Sequence, residues 1–502
     1  MSLTFMMMRT LISLLTATLL FATGTALANN VQVTNVEIVS QDAALDQYVI
    51  EFDLFWENSW RVSDGPQNWD ATWVFLKFTR HNQHDWHHGE WYRASDDAAA
   101  DGHVFPAIAR VQIPEDRKGA FIHRAQDGIG NFVLEGVQMI WDYSGEDLQD
   151  DAVLDISVHA IEMVYIPEGP FYLGDNGSYP NSFQVAGFNG QPFYVDSEDE
   201  AITLGGSNSS NLGNGVLVGD DPATIIDNFD ELNTANLPAD WPMGYHAMYV
   251  MKYEVTKAMY SEFFFTLTLE QNDEMFPDNC QVDNGGSYYL EFEDPYKPIA
   301  CLTWAQIAAY LDWSGLRPLS ETEYEKACRG PLDPVPNEYA WGTNGWYGAF
   351  HNANDLIREN EGEANEIIID GVAEDAPNAA YVSVYGNTDH HVRVGIFAAS
   401  VQNPTRLNTG ATYYGLMEMT GNAEEAVISL SRSDTRDFSG LHGDGEVAGS
   451  GNASISVLQD WAFVNAVGVM RKGQFDTSTV SRRFYMAEIG TTMGFRACRT
   501  AP

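Results

Sequence analysis

Gly415-Leu416-Met417-Glu418-Met419-Thr420-Gly421-Asn422-Ala423-Glu424-Glu425 is poor material for a helix or a regular strand. Its two glycines supply backbone angles that other residues resist, and Asn422 suits a tight turn. The stretch therefore predicts an ordered loop in which several oxygens can converge. Glu418 and Glu425 offer carboxylates, and the carbonyls of Gly421 and Ala423 can fill the gaps between them. Hard oxygen donors of this kind suit calcium. The same carboxylates also fit a plain solvated acidic turn, and spacing alone does not separate the two readings.

Further stretches give this loop a context. Met163-Val164-Tyr165-Ile166-Pro167-Glu168-Gly169-Pro170-Phe171-Tyr172-Leu173-Gly174 lies well before it, and Tyr253-Glu254-Val255-Thr256-Lys257-Ala258-Met259-Tyr260 follows. Next come Leu302-Thr303-Trp304 and the block from Trp313-Ser314-Gly315-Leu316-Arg317-Pro318 to Cys328-Arg329-Gly330. The chain closes on Gly494-Phe495-Arg496-Ala497-Cys498. In this order the stretches resemble the formylglycine-generating enzyme family, also called the sulfatase-modifying factor family, over residues 161–500. The resemblance implies a variant of the C-type lectin fold with little regular secondary structure.

Ahead of that region, residues 1–28 read as a secretory signal: Arg9, an apolar run from Leu11 to Ala22, and a small-residue cleavage site at Ala26-Leu27-Ala28. No later run is long and apolar enough for a membrane span. The expected location is therefore secreted, at the cell surface, extracellular or periplasmic. The balance of 71 acidic against 26 basic residues, net −45, argues against nucleic acid and anionic membranes as partners.

Residues 29–158 carry strand periodicity. Tyr48, Ile50, Phe52, Leu54 and Trp56 alternate with their neighbours, as do Val137, Met139, Trp141 and Tyr143, and Leu154, Ile156 and Val158. Trp73 to Phe78 reads as a buried strand. Short spacing between turn signals predicts an immunoglobulin-like β-sandwich, so the whole chain is α+β. Trp56, Trp60, Trp69 and Trp73 read as core rather than a sugar platform. His84-x-x-x-His88-x-Glu90, with His81 and His87 beside it, has iron-motif spacing but falls in a loop between strands, where i and i+4 share no face. A polar hairpin loop is the expectation there. Residues 176–243, rich in Gly, Asn, Ser and Asp, read as a surface insertion that buries little. Helices are expected over Ala258–Leu269, Trp304–Trp313 and Glu321–Cys328.

By position, the resemblance implies two calcium sites. One comprises Glu418, the Gly421 and Ala423 carbonyls, and Glu425; the other Asn354, the Asp355 carbonyl, Asp370 and the Val372 carbonyl. Four cysteines in an exported chain point to disulfides, and spacing alone allows any pairing. The resemblance favours Cys328 with Cys498, leaving Cys280 with Cys301. It also implies a copper(I) site made of two cysteines between a Lys-Gly-Gly-Ser-like strand and the closing Gly-Phe-Arg. Here that stretch, from Arg471 to Gly494, contains no cysteine, with Thr477 and Arg482 near the thiol positions. Neither holds copper(I). Arg482-Arg483 reads as a surface ion-pairing segment, and Arg496 as one half of a buried ion pair.

The expected function is a non-catalytic, calcium-binding recognition or assembly module that meets a protein or glycan at the cell surface, or itself. Copper and iron are not expected. The alternative is a divergent enzyme, an oxidase or iron-dependent relative.

Overall fold

The computed structural model describes the chain apart from residues 1–30, 178–181, 188–189, 215–232, 281–289, 347–348, 382–390, 432, 434, 462–468, 472–477 and 486–492. The expected signal segment 1–28 and Thr477 lie outside the described residues. What is described is largely β. Eleven strands form one antiparallel sheet. They are β1 (Gln32–Asp42), β2 (Gln47–Arg61), β3 (Asp70–Arg80), β4 (His87–Trp91), β5 (Ala109–Gln112), β6 (Ala120–Arg124), β7 (Gly128–Asp142), β8 (Leu154–Ile166), β9 (Met248–Met251), β10 (Arg317–Pro318) and β11 (Ala497–Thr500). The order is β1-β2-β7-β4-β3-β8-β9-β11-β10, with β6 also on β3 and β5 on β6.

The alternating residues of β2 and β7 do what their period requires. Tyr48, Ile50, Phe52, Leu54 and Trp56 pack with Val137, Met139 and Trp141 against Val74, Leu76 and Phe78 of β3 and Ile122 of β6. The other face of β3 is buried too, which explains its unbroken apolar run. Ala71, Trp73 and Phe75 belong to a second and larger core with Phe121, Tyr249 and the helices of the C-terminal part. A side chain alternates from face to face along a strand, so β3 joins two cores with no spacer.

The boundary expected between 158 and 161 falls inside one strand. β8 pairs with β3 from Leu154 to Val164, and its end, Met163–Ile166, also pairs with β9. The sheet therefore runs unbroken from the N-terminal strands into the C-terminal ones.

Four helices sit beside this sheet: α1 (Lys257–Phe265), α2 (Leu269–Met275), α3 (Trp304–Trp313) and α4 (Glu321–Arg329). The single helix expected over Ala258–Leu269 ends at Phe265, and a new one starts behind Thr268. Thr268 accepts from Gln271 N while the Gln271 side chain reaches back to the Thr268 N–H. Such a reciprocal cap starts a helix in its own right. The same device starts α3 at Thr303 and α4 at Ser320. The insertion corrects a second expectation, for it buries apolar side chains. Phe183, Val185, Phe193, Val195, Leu204, Leu212, Leu237 and Trp241 all join the larger core.

Cys280 and Cys301 are joined, their Cα atoms 5.3 Å apart. Cys328 and Cys498 are not joined: both are buried and neither takes part in a disulfide with the other. The expected bridge fails because Cys498 Sγ is turned into a polar pocket on β10. It accepts from Arg317 Nη1 at 2.9 Å and lies 3.4 Å from the Pro318 carbonyl, beside the Arg317–Glu323 ion pair.

Candidate functional site

The loop at 415–425 is ordered, as its composition predicts, and it is a buried hub. Gly421 has φ +91°, and a Cβ there would meet the Ala380 carbonyl oxygen at 2.3 Å, so only glycine fits. Asn422 Nδ2 and Ala423 N both donate to Glu254, each at 2.7 Å. Gly395 N donates to Glu418 Oε1 at 2.9 Å, and the Tyr324 hydroxyl to the Met419 carbonyl at 2.6 Å.

Glu425 is a correction. Arg496 Nε donates to its two oxygens at 3.0 and 2.8 Å, and Arg496 Nη2 to Oε1 at 2.6 Å, with both side chains buried. A guanidinium in this bidentate position takes the place a cation would need. The set Glu418, Gly421, Ala423 and Glu425 therefore does not fit calcium. The ion pair expected for Arg496 is present, and its partner is the residue assigned to the metal. Glu418 Oε2 is buried without a hydrogen-bond partner, and burial pushes this carboxyl up to about 7. Glu254 is raised well above the carboxylate range, by burial first and then by Glu425.

The second set is brought together differently. Asn354 and Asp355 lie in the 3-10 turn Ala353–Asp355, capped by the Asn352 side chain. Asp370 ends the strand Ile367–Asp370 opposite Ile357, and a Cβ on Gly371 would lie 3.1 Å from Leu356. Asn354, Asp355 and Asp370 are thus exposed at one end of a hairpin, with Val372 half-buried next to them. Their oxygen chemistry fits a hard cation.

The histidines do not converge. His81 meets Asp155, His84 Nε2 the Phe265 carbonyl, His87 is 3.6 Å from Glu446, and His88 Nε2 bonds the Lys118 carbonyl. His87 and His88 begin β4 rather than lying in the expected loop. Among the described residues no group of three or more His, Cys, Asp or Glu is placed to hold a metal. Arg483 is not at the surface as expected. It is fully buried and pairs with Glu321 at 2.7 Å.

The feature that sequence reasoning missed is a cleft of about 660 Å³ where the N-terminal strands meet the C-terminal part. One wall carries Trp60, Val62 and Ile129; the other carries Lys252, Tyr253, Val401, Arg406, Thr409, Tyr413 and Tyr414. Trp60 reaches it through a bulge. The β2–β7 register slips between Trp56 and Ser59, and Asn58 has φ +53°. The extra residue flips the side-chain phase, so Trp56 stays in the core while Trp60 faces outward. Across the cleft Gly415 lets the backbone approach, its missing Cβ lying 3.1 Å from the Trp60 ring. The positive charges of the cleft are held. Lys252 Nζ is 2.6 Å from Glu162 Oε1 and 4.7 Å from the centre of the Trp60 ring. Arg406 Nη2 donates to the Ala340 carbonyl at 2.9 Å. Such a surface suits a neutral ligand with an apolar face and hydroxyl groups. The signal in the sequence was the Glu57-Asn58-Ser59 break in an otherwise regular alternation.

Compared with family models, residues 230–501 match the one described as sulfatase-modifying factor enzyme 1-like domain. No curated protein matches the chain.

Proposed function

Since the chain belongs to the family of sulfatase-modifying factor enzyme 1-like domains, we propose that it is a non-catalytic recognition module exported to the cell surface, the extracellular space or the periplasm. The observation that carries this reading is the aromatic cleft at the junction of the N-terminal strands with the family domain. Its cationic side chains Lys252 and Arg406 are engaged by the protein itself, and a glycan presents the apolar face and hydroxyls that suit it. The stretch from Arg471 to Gly494 has no cysteine, so the copper–thiolate chemistry that the resemblance implies has no ligands there. The N-terminal strands act as an immunoglobulin-like layer supplying one wall. Calcium binds at Asn354, Asp355, Asp370 and Val372 and steadies the exposed hairpin.

The test is a glycan array probed with the exported chain, alongside the Ile129→Arg variant. Ile129 is 82% exposed on the lip of the cleft, so the variant folds normally. Retention of a glycan by the parent and loss of tenfold or more in the variant is the expected result. Stoichiometric copper or iron in the purified protein would overturn the non-catalytic reading. Calcium at about a hundredfold above its Kd should stabilise the chain by about 2.7 kcal/mol, and Asp370→Asn should abolish the shift. Equal melting curves with chelator and with calcium would remove the cation from the proposal.

A further inference from the structure

Three charged side chains lie beneath the cleft, on one face of neighbouring strands. Asp70 opens β3 and sits opposite Val164 of β8. Glu162 is two residues back along β8 and so shares that face. Lys252 follows β9, and its N–H bonds the Glu162 carbonyl at 3.0 Å, which stands it across from Glu162 on the other side. The order across the sheet is therefore acid, acid, base. Asp70 is 0% exposed, and Glu162 and Lys252 are 4% exposed. Adjacent strands are about 4.8 Å apart; Lys252 Nζ rests on Glu162 Oε1 at 2.6 Å, with Asp70 on the next strand beyond. Both ends meet at one residue. Lys252 Nζ lies 4.7 Å from the centre of the Trp60 ring, and Trp60 N donates to Asp70 Oδ1 at 2.9 Å.

The surroundings of Asp70 are unusual for a simple ion pair. Oδ1 also accepts from Ser59 Oγ at 2.8 Å, and Oδ2 from the Trp56 indole at 2.9 Å. Three fixed donors around one carboxyl stabilise negative charge that develops there during attack on its carbon. Two buried acids share one buried base, with the partly exposed Arg124 acting on Asp70 from beside Ser59, a costly arrangement in a low-dielectric interior. Amide formation between base and acid removes two of the three charges.

We propose that Lys252 Nζ and Asp70 Cγ become joined in an intramolecular isopeptide bond, with Glu162 carrying the proton. The Lys252 ammonium gives one proton to the Glu162 carboxylate, and the freed amine attacks Cγ. A C–N bond forms, an Asp70 C–O bond breaks, and the nitrogen gives up a second proton. The hydroxyl displaced from the acid form of Asp70 takes one of these protons and leaves as water, the other proton passes to solvent, and Glu162 ends as a carboxylate. No oxidant or cofactor is consumed. Burial pushes the Asp70 carboxyl up to about 7, which keeps part of it in the electrophilic acid form at neutral pH. Lys252 also lines the cleft, so the water has a way out. The bond fastens β3 to the segment after β9, across β8, independently of what the cleft binds.

The experiment is tryptic peptide mapping of the purified full chain, reduced, alkylated and denatured, read by mass spectrometry. The expected result is one branched species that contains Asp70 and Lys252, lighter than its two linear parts by one water and uncut after Lys252. Asp70→Asn should give the same branched product through loss of ammonia, and Glu162→Gln should give linear peptides. Linear peptides carrying unmodified Asp70 and Lys252, from parent protein that melts cooperatively, overturn the proposal. A bond from Lys252 to Glu162 overturns it equally.

Discussion

At the scale of single residues, Glu425 shows what a loop sequence conceals. Glu418 and Glu425 offer similar carboxylates, but of the two only Glu425 is hydrogen-bonded to a guanidinium, and that guanidinium is 71 residues away. Partner choice at that separation is decided by packing, so composition could identify an ordered acidic loop without saying what neutralises it. Glu425→Gln should therefore cost about 3–5 kcal/mol, because it strands a buried Arg496. Denaturant unfolding with calcium and with chelator checks this, and the loss should be the same in both. Glu418 gives a prediction of a different kind. Its folded pKa is about 7, raised mainly by burial above the ordinary 4.5. The native state then holds the proton more tightly than the unfolded chain. The stabilisation is complete below about pH 4.5, fades as pH rises toward 7, and amounts to about 3 kcal/mol over that window. Glu418→Gln removes the titration, so its gain in stability over the parent should be larger at pH 8 than at pH 4. A gain that is equal at both pH values would count against the assignment.

Elements were more legible than contacts. A run such as Tyr48 to Trp56 carries its own period, and a strand follows from it whatever lies opposite. Trp73 to Phe78 announced a buried strand, and β3 turns out to be buried on both faces. Helix α4 was readable over Glu321–Cys328 because Ser320 and Glu323 form its cap locally. What failed were features made by two distant segments: the slip between Trp56 and Ser59 that aims Trp60, and the state of Cys498. For the cysteines the structure makes a countable prediction. Under denaturing, non-reducing conditions an alkylating reagent should label Cys328 and Cys498 and leave Cys280 and Cys301 blocked. Labelling of no cysteine would restore the second bridge. Reduction of the Cys280–Cys301 link, which spans 21 residues, should cost about 3 kcal/mol.

For the whole molecule, the family domain and the strands before it share both a sheet and a core. β3 pairs with β8 along all eleven of its residues, and Trp73, Phe75 and Phe121 pack in the same cluster as Tyr249, Tyr310 and Trp313. Cutting the chain at 160 would bare that edge and those aromatics. A fragment beginning there should aggregate or fail to melt cooperatively, whereas the intact chain should unfold in a single transition by both calorimetry and tryptophan fluorescence. Two well-separated transitions would show that the parts are independent after all. The shared strand also bears on descent. A module bounded by loops can be moved between genes as a cassette, but one whose sheet continues into the strands before it cannot be exchanged without breaking that sheet. Its N-terminal strands and its family domain must be inherited together, each change on one side of β8 screened by what stands on the other.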